Sequence, residues 1–136
     1  MLQPKKQKFK KQFRRGARVI SEKGANIVFG DFGLKAVTRG RLSEKQLEAA
    51  RRAISFFTRK EGKIWVRVFP DKPVTQKAAG TRMGSGKGDV VGFVVPVTPG
   101  KIIFEVSGIP LEAAREALRR AGYRIPFKTR FVAKNV

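Results

Sequence analysis

The residues best suited to chemistry lie in one stretch, PDKPVTQKAAGTRMGSGKGD, residues 70–89. Gly80, Gly84, Gly86 and Gly88 are interspersed there with Lys72, Lys77, Arg82 and Lys87. Glycines let a backbone approach a ligand closely, exposed N–H groups bind phosphate oxygens, and the cations add charge. The chemistry on offer is anion binding. A nucleotide P-loop is excluded by spacing: five residues separate Gly80 from Gly86 where four are needed, and Lys87 precedes Gly88 rather than Ser or Thr. The dinucleotide pattern fails as well, because GSGKGD lacks its last glycine. Some twenty residues without apolar periodicity are unusual in a compact domain and are functional or disordered when they occur. Their cation density favours insertion into folded RNA, with residues 77–88 mobile in the free protein. Lys72-Pro73 reads as a rigid start to the loop.

Catalysis has little else to work with. The 136 residues contain no Cys and no His, which removes thiol nucleophiles, His-based triads, disulfides and typical zinc sites. Ten acids spread along the chain offer no convincing metal set, so no catalytic residue, metal or cofactor is expected. Against those ten stand 31 Lys and Arg, a formal net charge of +21. A compact domain with that charge repels itself unless an anionic partner neutralises it. A membrane partner is disfavoured: the longest apolar run, residues 90–97, is interrupted by Gly92 and Pro96 and falls far short of the roughly 20 residues a spanning helix needs. The basic start is followed by no apolar signal-peptide core, and no Ser precedes Ser21, unlike a transit peptide. A soluble, intracellular, unprocessed protein is the expectation.

The elements that must position this charge follow from periodicity. Residues 1–18 carry Lys5, Lys6, Lys8, Lys10, Lys11, Arg14, Arg15 and Arg18 with no acid, and Phe9 and Phe13 sit among them. Such an arm is disordered when free and suits RNA, with rings for bases and cations for phosphates. Residues 25–32 read as a short strand entering a Gly-rich turn. Ser43 is a good N-cap with Gln46 at the capping-box position, and Leu47, Ala50, Ile54 and Phe57 recur at helical spacing, predicting a helix over 44–58. On its polar side Lys45, Arg51, Arg52, Arg59 and Lys60 outnumber Glu44 and Glu48, an imbalance suited to phosphate. Residues 63–69 alternate as a strand. Residues 90–97 and 101–106 predict two more, and Thr98-Pro99-Gly100 between them favours a hairpin. A second helix spans 110–121, started by Pro110, closed by Gly122 and buried through Leu111, Ala114 and Leu118. Residues 125–132 look extended. The order indicates one α+β domain over 1–136, with a mixed or antiparallel sheet and two main helices.

Several segments then become familiar: MLQPKKQKFKKQFR, FGDFGLKA, QLEAARRAI, GKIWVRVFPDKPVT, RMGSGKG and PFKTRFV, in this order. End to end, the chain resembles the L-sixteen family of bacterial-type large-subunit ribosomal proteins. The resemblance implies a hammerhead-like α+β fold and a non-enzymatic role in the large subunit of a cytoplasmic ribosome, an organelle ribosome being the alternative. It implies binding to large-subunit ribosomal RNA, contact with transfer RNA at the A site and, as an extension, the P site near the peptidyl-transferase centre, and neighbouring ribosomal proteins as partners. No small-molecule substrate is implied. The residues expected on ribosomal RNA are Lys5, Lys6, Lys8, Lys10, Lys11, Arg14, Arg15, Arg51, Arg52, Arg59, Lys128 and Arg130. The loop facing transfer RNA comprises Lys77, Arg82, Met83, Gly84, Ser85, Gly86, Lys87 and Gly88, and Arg82 matches a position hydroxylated in some bacterial members. The preceding text QKAAGT departs from the family pattern, as residues 15–26 and 123–125 do more loosely.

Composition alone would also suit a free-standing RNA chaperone or a DNA-compacting protein. Co-sedimentation with large subunits through a high-salt wash separates these from a ribosomal protein. An enzyme acting on RNA is the third class, and it lacks an evident acid, base or metal site.

Overall fold

The computed structural model describes residues 24–59, 61–76 and 89–134. Nine elements follow one another: β1 (Phe32–Ala36), β2 (Gly40–Ser43), α1 (Glu44–Thr58), β3 (Lys63–Val66), β4 (Lys72–Gln76), β5 (Asp89–Val97), β6 (Ile102–Ser107), α2 (Leu111–Gly122) and β7 (Thr129–Ala133). The strands form two sheets, one ordered β3-β6-β1-β7 and one ordered β2-β5-β4. Every pairing among them is antiparallel. With two helices packed on each other and on these strands, the fold is α+β.

The first helix starts where its local chemistry dictates. The Ser43 hydroxyl accepts a hydrogen bond from the Gln46 backbone N–H at 3.2 Å, and the Gln46 side chain accepts from the Ser43 N–H at 3.0 Å. This capping box satisfies two donors that a helix start leaves unpaired. Leu47, Ala50 and Ile54 are fully buried, and Phe57 packs against the core beside them. The helix ends at Arg59, whose left-handed φ of 54° turns the chain. Gly62, at φ 73°, completes the approach to β3; a Cβ there would lie 2.2 Å from the Ser107 carbonyl oxygen.

β6 lies inside the four-stranded sheet, and Ile102 to Val106 are all buried. α2 covers β1 and β7, while α1 contacts β2, β3 and β5. The buried stripe of α2 is Ala114, Ala117, Leu118 and Ala121. Three alanines let the helix approach closely. Leu111, expected in that stripe, is 43% exposed at the helix start.

Four other expectations are corrected. β5 and β6 do not form a hairpin: they belong to different sheets, and the turn at 98–100 carries the chain from one to the other. Gly100, at φ 92°, donates its N–H to the Ala36 carbonyl, so the turn is fastened to β1. The strand predicted over 63–69 ends at Val66, although the Arg67 N–H still donates to Ile103 at 2.8 Å. Residues 25–31 form no strand; the strand begins at Phe32. The loop over 70–89 is shorter than its sequence suggests, because Lys72–Gln76 is β4. Pro73 lies in it, and β4 is an edge strand, where proline is tolerated.

Candidate nucleic-acid interface

One carboxylate fixes the segment that leads into the sheet. Glu105 lies on β6 and is fully buried. Its Oε1 accepts backbone N–H bonds from Val28, Phe29 and Gly30, each 2.9 Å, and its Oε2 accepts from Arg67. Burial pushes the carboxyl pKa up, but the Gly30, Arg67, Phe29 and Val28 donors together outweigh it and hold the group below its ordinary value. Phe29 stacks on Trp65 with ring centroids 6.1 Å apart, and the Arg67 guanidinium lies 5.2 Å from the Phe29 ring centre. This cluster ties residues 26–30 down, ahead of β1.

The helices carry a second arrangement at the surface. On α1, Glu48 bonds both Arg51 (3.1 Å) and Arg52 (3.3 Å). On α2, Glu116 bonds both Arg119 (3.0 Å) and Arg120 (3.1 Å). Each pairing uses the i, i+3 and i, i+4 neighbours that share a helix face. The hydrogen bond from Arg51 is the main reason Glu48 titrates below its ordinary value, and that from Arg119 does the same for Glu116. Arg120 also reaches across to α1, its guanidinium 4.6 Å from the Phe57 ring centre. Arg119 lies 5.6 Å from the Tyr123 ring centre and donates to its hydroxyl at 2.7 Å.

The sequence-predicted cations separate into distinct places. Arg51 and Arg52 share Glu48, so the basic face of α1 is partly neutralised by its own acid. Glu44, counted on that polar side, is buried. Arg59 is exposed at the far end of the helix. Lys128 is exposed just before β7, its backbone N–H donating to Thr38 at 3.2 Å. Arg130 is exposed on β7 opposite Lys35 of β1, and both line a hollow of about 560 Å³ with Lys134. The structure therefore brings Arg51 and Arg52 together and leaves Arg59, Lys128 and Arg130 at other points. Lys5, Lys6, Lys8, Lys10, Lys11, Arg14 and Arg15 lie outside the described residues. So do Lys77, Arg82, Met83, Gly84, Ser85, Gly86, Lys87 and Gly88.

Sequence reasoning did not single out Lys35, Lys134 or the arginines of α2, which the structure adds as candidates. The signal for α2 was present: residues 116, 119, 120, 123 and 124 recur at helical spacing, and the last 18 residues hold six cations and no acid. Among the described residues no group of three or more His, Cys, Asp or Glu could hold a metal ion. No described helix is long and apolar enough to cross a membrane.

The fold and its surface thus define a cation-rich α+β domain whose helix arginines are displayed at the surface. Residues 4–132 match the family described as ribosomal protein L16p/L10e, and the chain belongs to that family. It is 50% identical, over its whole length and 99% of the relative, to the large ribosomal subunit protein uL16 of Albidiferax ferrireducens. It is 48% identical, over the same shares, to the protein of that name from Methylibium petroleiphilum. The chain is a structural ribosomal protein working in translation, not an enzyme.

Proposed function

We propose that this protein is a constituent of the large ribosomal subunit that binds large-subunit ribosomal RNA and contacts transfer RNA at the A site, and further at the P site, near the peptidyl-transferase centre. The observation that carries the reading is the end-to-end likeness to proteins named for the large subunit. The charge supports it: a net +21 needs a polyanion, and phosphate contacts from Lys and Arg supply affinity without sequence preference. The basic arm, Arg51, Arg52, Arg59, Lys128 and Arg130 engage ribosomal RNA in this reading. Neighbouring ribosomal proteins complete the surroundings.

The transfer-RNA contact falls to residues 77–88. β4 and β5 pair as far as Gln76 opposite Asp89, so this segment leaves and rejoins one end of a two-stranded ribbon. With about six residues per arm it spans at most roughly 20 Å. Arg82 grips phosphate in forked geometry and Lys87 adds a point charge. Changing Arg82 and Lys87 together to Ala should leave the fold and subunit incorporation intact while weakening A-site transfer-RNA binding. Subunit occupancy and A-site affinity are measured separately on purified ribosomes. Normal affinity at full occupancy would reduce the segment to a ribosomal-RNA anchor, and lost occupancy with normal affinity would make it an assembly element.

A further inference from the structure

α1 and α2 lie side by side, and between their outer faces runs a groove of about 920 Å³. Its α1 wall is a helical stripe through Lys45, Ala49, Arg52 and Phe56; the small alanines leave the space open. Its α2 wall ends at Tyr123 and Arg124. Two aromatic rings therefore line one groove and stay largely open: Phe56 is 87% exposed, and Tyr123 is 69% exposed with the Arg119 guanidinium 5.6 Å from its ring centre. A single exposed ring is ordinary, but two in one groove flanked by cations mark a binding surface.

Charge decides what fits. Five cations line the groove against two carboxylates, and both carboxylates are held by arginines of their own helix. The excess repels a basic partner and attracts an anion. Tyr123 is also held in place, since its hydroxyl accepts from Arg119, which Glu116 in turn fixes. A ring held this way loses little freedom when something stacks on it. Exposed aromatic faces beside forked cations are the features that bind unstacked bases and their phosphates.

We propose that the groove between α1 and α2 receives an unpaired nucleobase of RNA, stacked on Tyr123 and Phe56, with the flanking phosphates met by Arg52 and Arg124. The proposal rests on the RNA-binding reading above and adds to it a site, a ligand class and a preference for single strands. An acidic segment of a neighbouring protein is the competing occupant.

The test uses the full-length protein with an RNA octamer carrying 2-aminopurine, single-stranded and annealed to its complement. Binding of the single strand should quench the 2-aminopurine, and Phe56→Leu and Tyr123→Leu should each weaken it by roughly fivefold or more, the scale of one lost base–aromatic stack. Tyr123→Phe, which keeps the ring, should retain the quench. Duplex affinity should be unchanged in all three, and circular dichroism checks that each variant is folded. Single-strand binding that is salt-dependent yet indifferent to both Leu variants overturns the groove and leaves general RNA binding standing. Loss of an acidic, Trp-containing peptide probe in the Leu variants, with RNA unable to displace that peptide from the wild type, assigns the groove to a protein and overturns the proposal. Failure of both RNA forms to bind at low salt removes the underlying reading and the groove with it.

Discussion

Glu105 and the pair Glu48 and Glu116 are the same chemistry put to opposite uses. All three are glutamates bonded to arginine. Glu105 is sealed inside the sheet, with three backbone N–H donors and Arg67 on its two oxygens. Glu48 and Glu116 lie on helix surfaces, each shared between two arginines that remain substantially exposed. A buried carboxylate must be fully satisfied, because an unpaired charge in the interior is expensive. A surface carboxylate can orient two guanidinium groups while leaving donors free for a ligand. In this basic chain the interior charge therefore organises the fold, and the surface charges organise which guanidinium groups are displayed.

The sharpest way to break this contrast is at Glu105. Glu105→Ala strands three backbone donors and a half-buried arginine, and should cost about 3–5 kcal/mol. The urea midpoint should fall with the denaturant slope unchanged. Glu105→Gln keeps an acceptor for the N–H groups and should cost less. The acid limb separates the charge from the hydrogen bonds. Because the folded carboxyl titrates below its unfolded value of about 4.3, its stabilisation is complete above that pH and is lost as pH falls through the folded pKa. The wild type should thus lose stability over this acid range more steeply than Glu105→Gln. Parallel pH profiles would show that the charge contributes nothing.

How much of this was legible depends on whether a signal was local. The Ser43–Gln46 box and the 3.6-residue stripe define α1 within residues that are near neighbours, and α1 runs over the residues predicted. Pro110 caps the start of α2 for the same reason, whereas Gly122, expected to close it, is its last helical residue and Tyr123 is the cap. Pairing is not local. Thr98-Pro99-Gly100 says that the chain turns, and cannot say that its two sides enter different sheets. β2 escaped because Leu42 is its one buried side chain, and β4 because Pro73 argues against a strand except at an edge. Glu105 could have been found: a lone acid inside IIFEVS demands a buried partner, and Arg67, between the apolar residues of KIWVRVF, was the candidate. The groove was harder, since Phe56 and Tyr123 are far apart in sequence and meet only when the helices pack.

A second contrast lies within α1 and should be nearly as large. Ile54 is fully buried and Phe56, two residues on, is 87% exposed. Ile54→Ala removes buried methyl groups and leaves a cavity, for about 2–5 kcal/mol. Phe56→Ala removes more atoms yet should change stability by about 0.5 kcal/mol or less. Thermal unfolding of both variants would settle whether the ring is held for the fold. A Phe56 variant as damaging as Ile54→Ala would mean that the ring supports the packing of the helices and is not displayed for a ligand.

The smallest effect on stability should come with an opposite effect on binding. Glu48→Gln removes the two helix-surface ion pairs of a half-buried carboxylate, costing about 0.5 kcal/mol or less and less still in high salt. It also releases Arg51 and Arg52 from their acid and adds one net positive charge. If one further phosphate is then engaged, RNA affinity should rise and the log–log salt slope should steepen by about 0.9. Deleting residues 1–18 should move the slope the other way, which calibrates the measurement. Glu105→Gln should leave the slope unchanged wherever the protein remains folded, since Arg67 is committed inside the cluster. Weaker binding by Glu48→Gln would show that the carboxylate serves RNA by holding its arginines in place, so that orientation outweighs charge on this face.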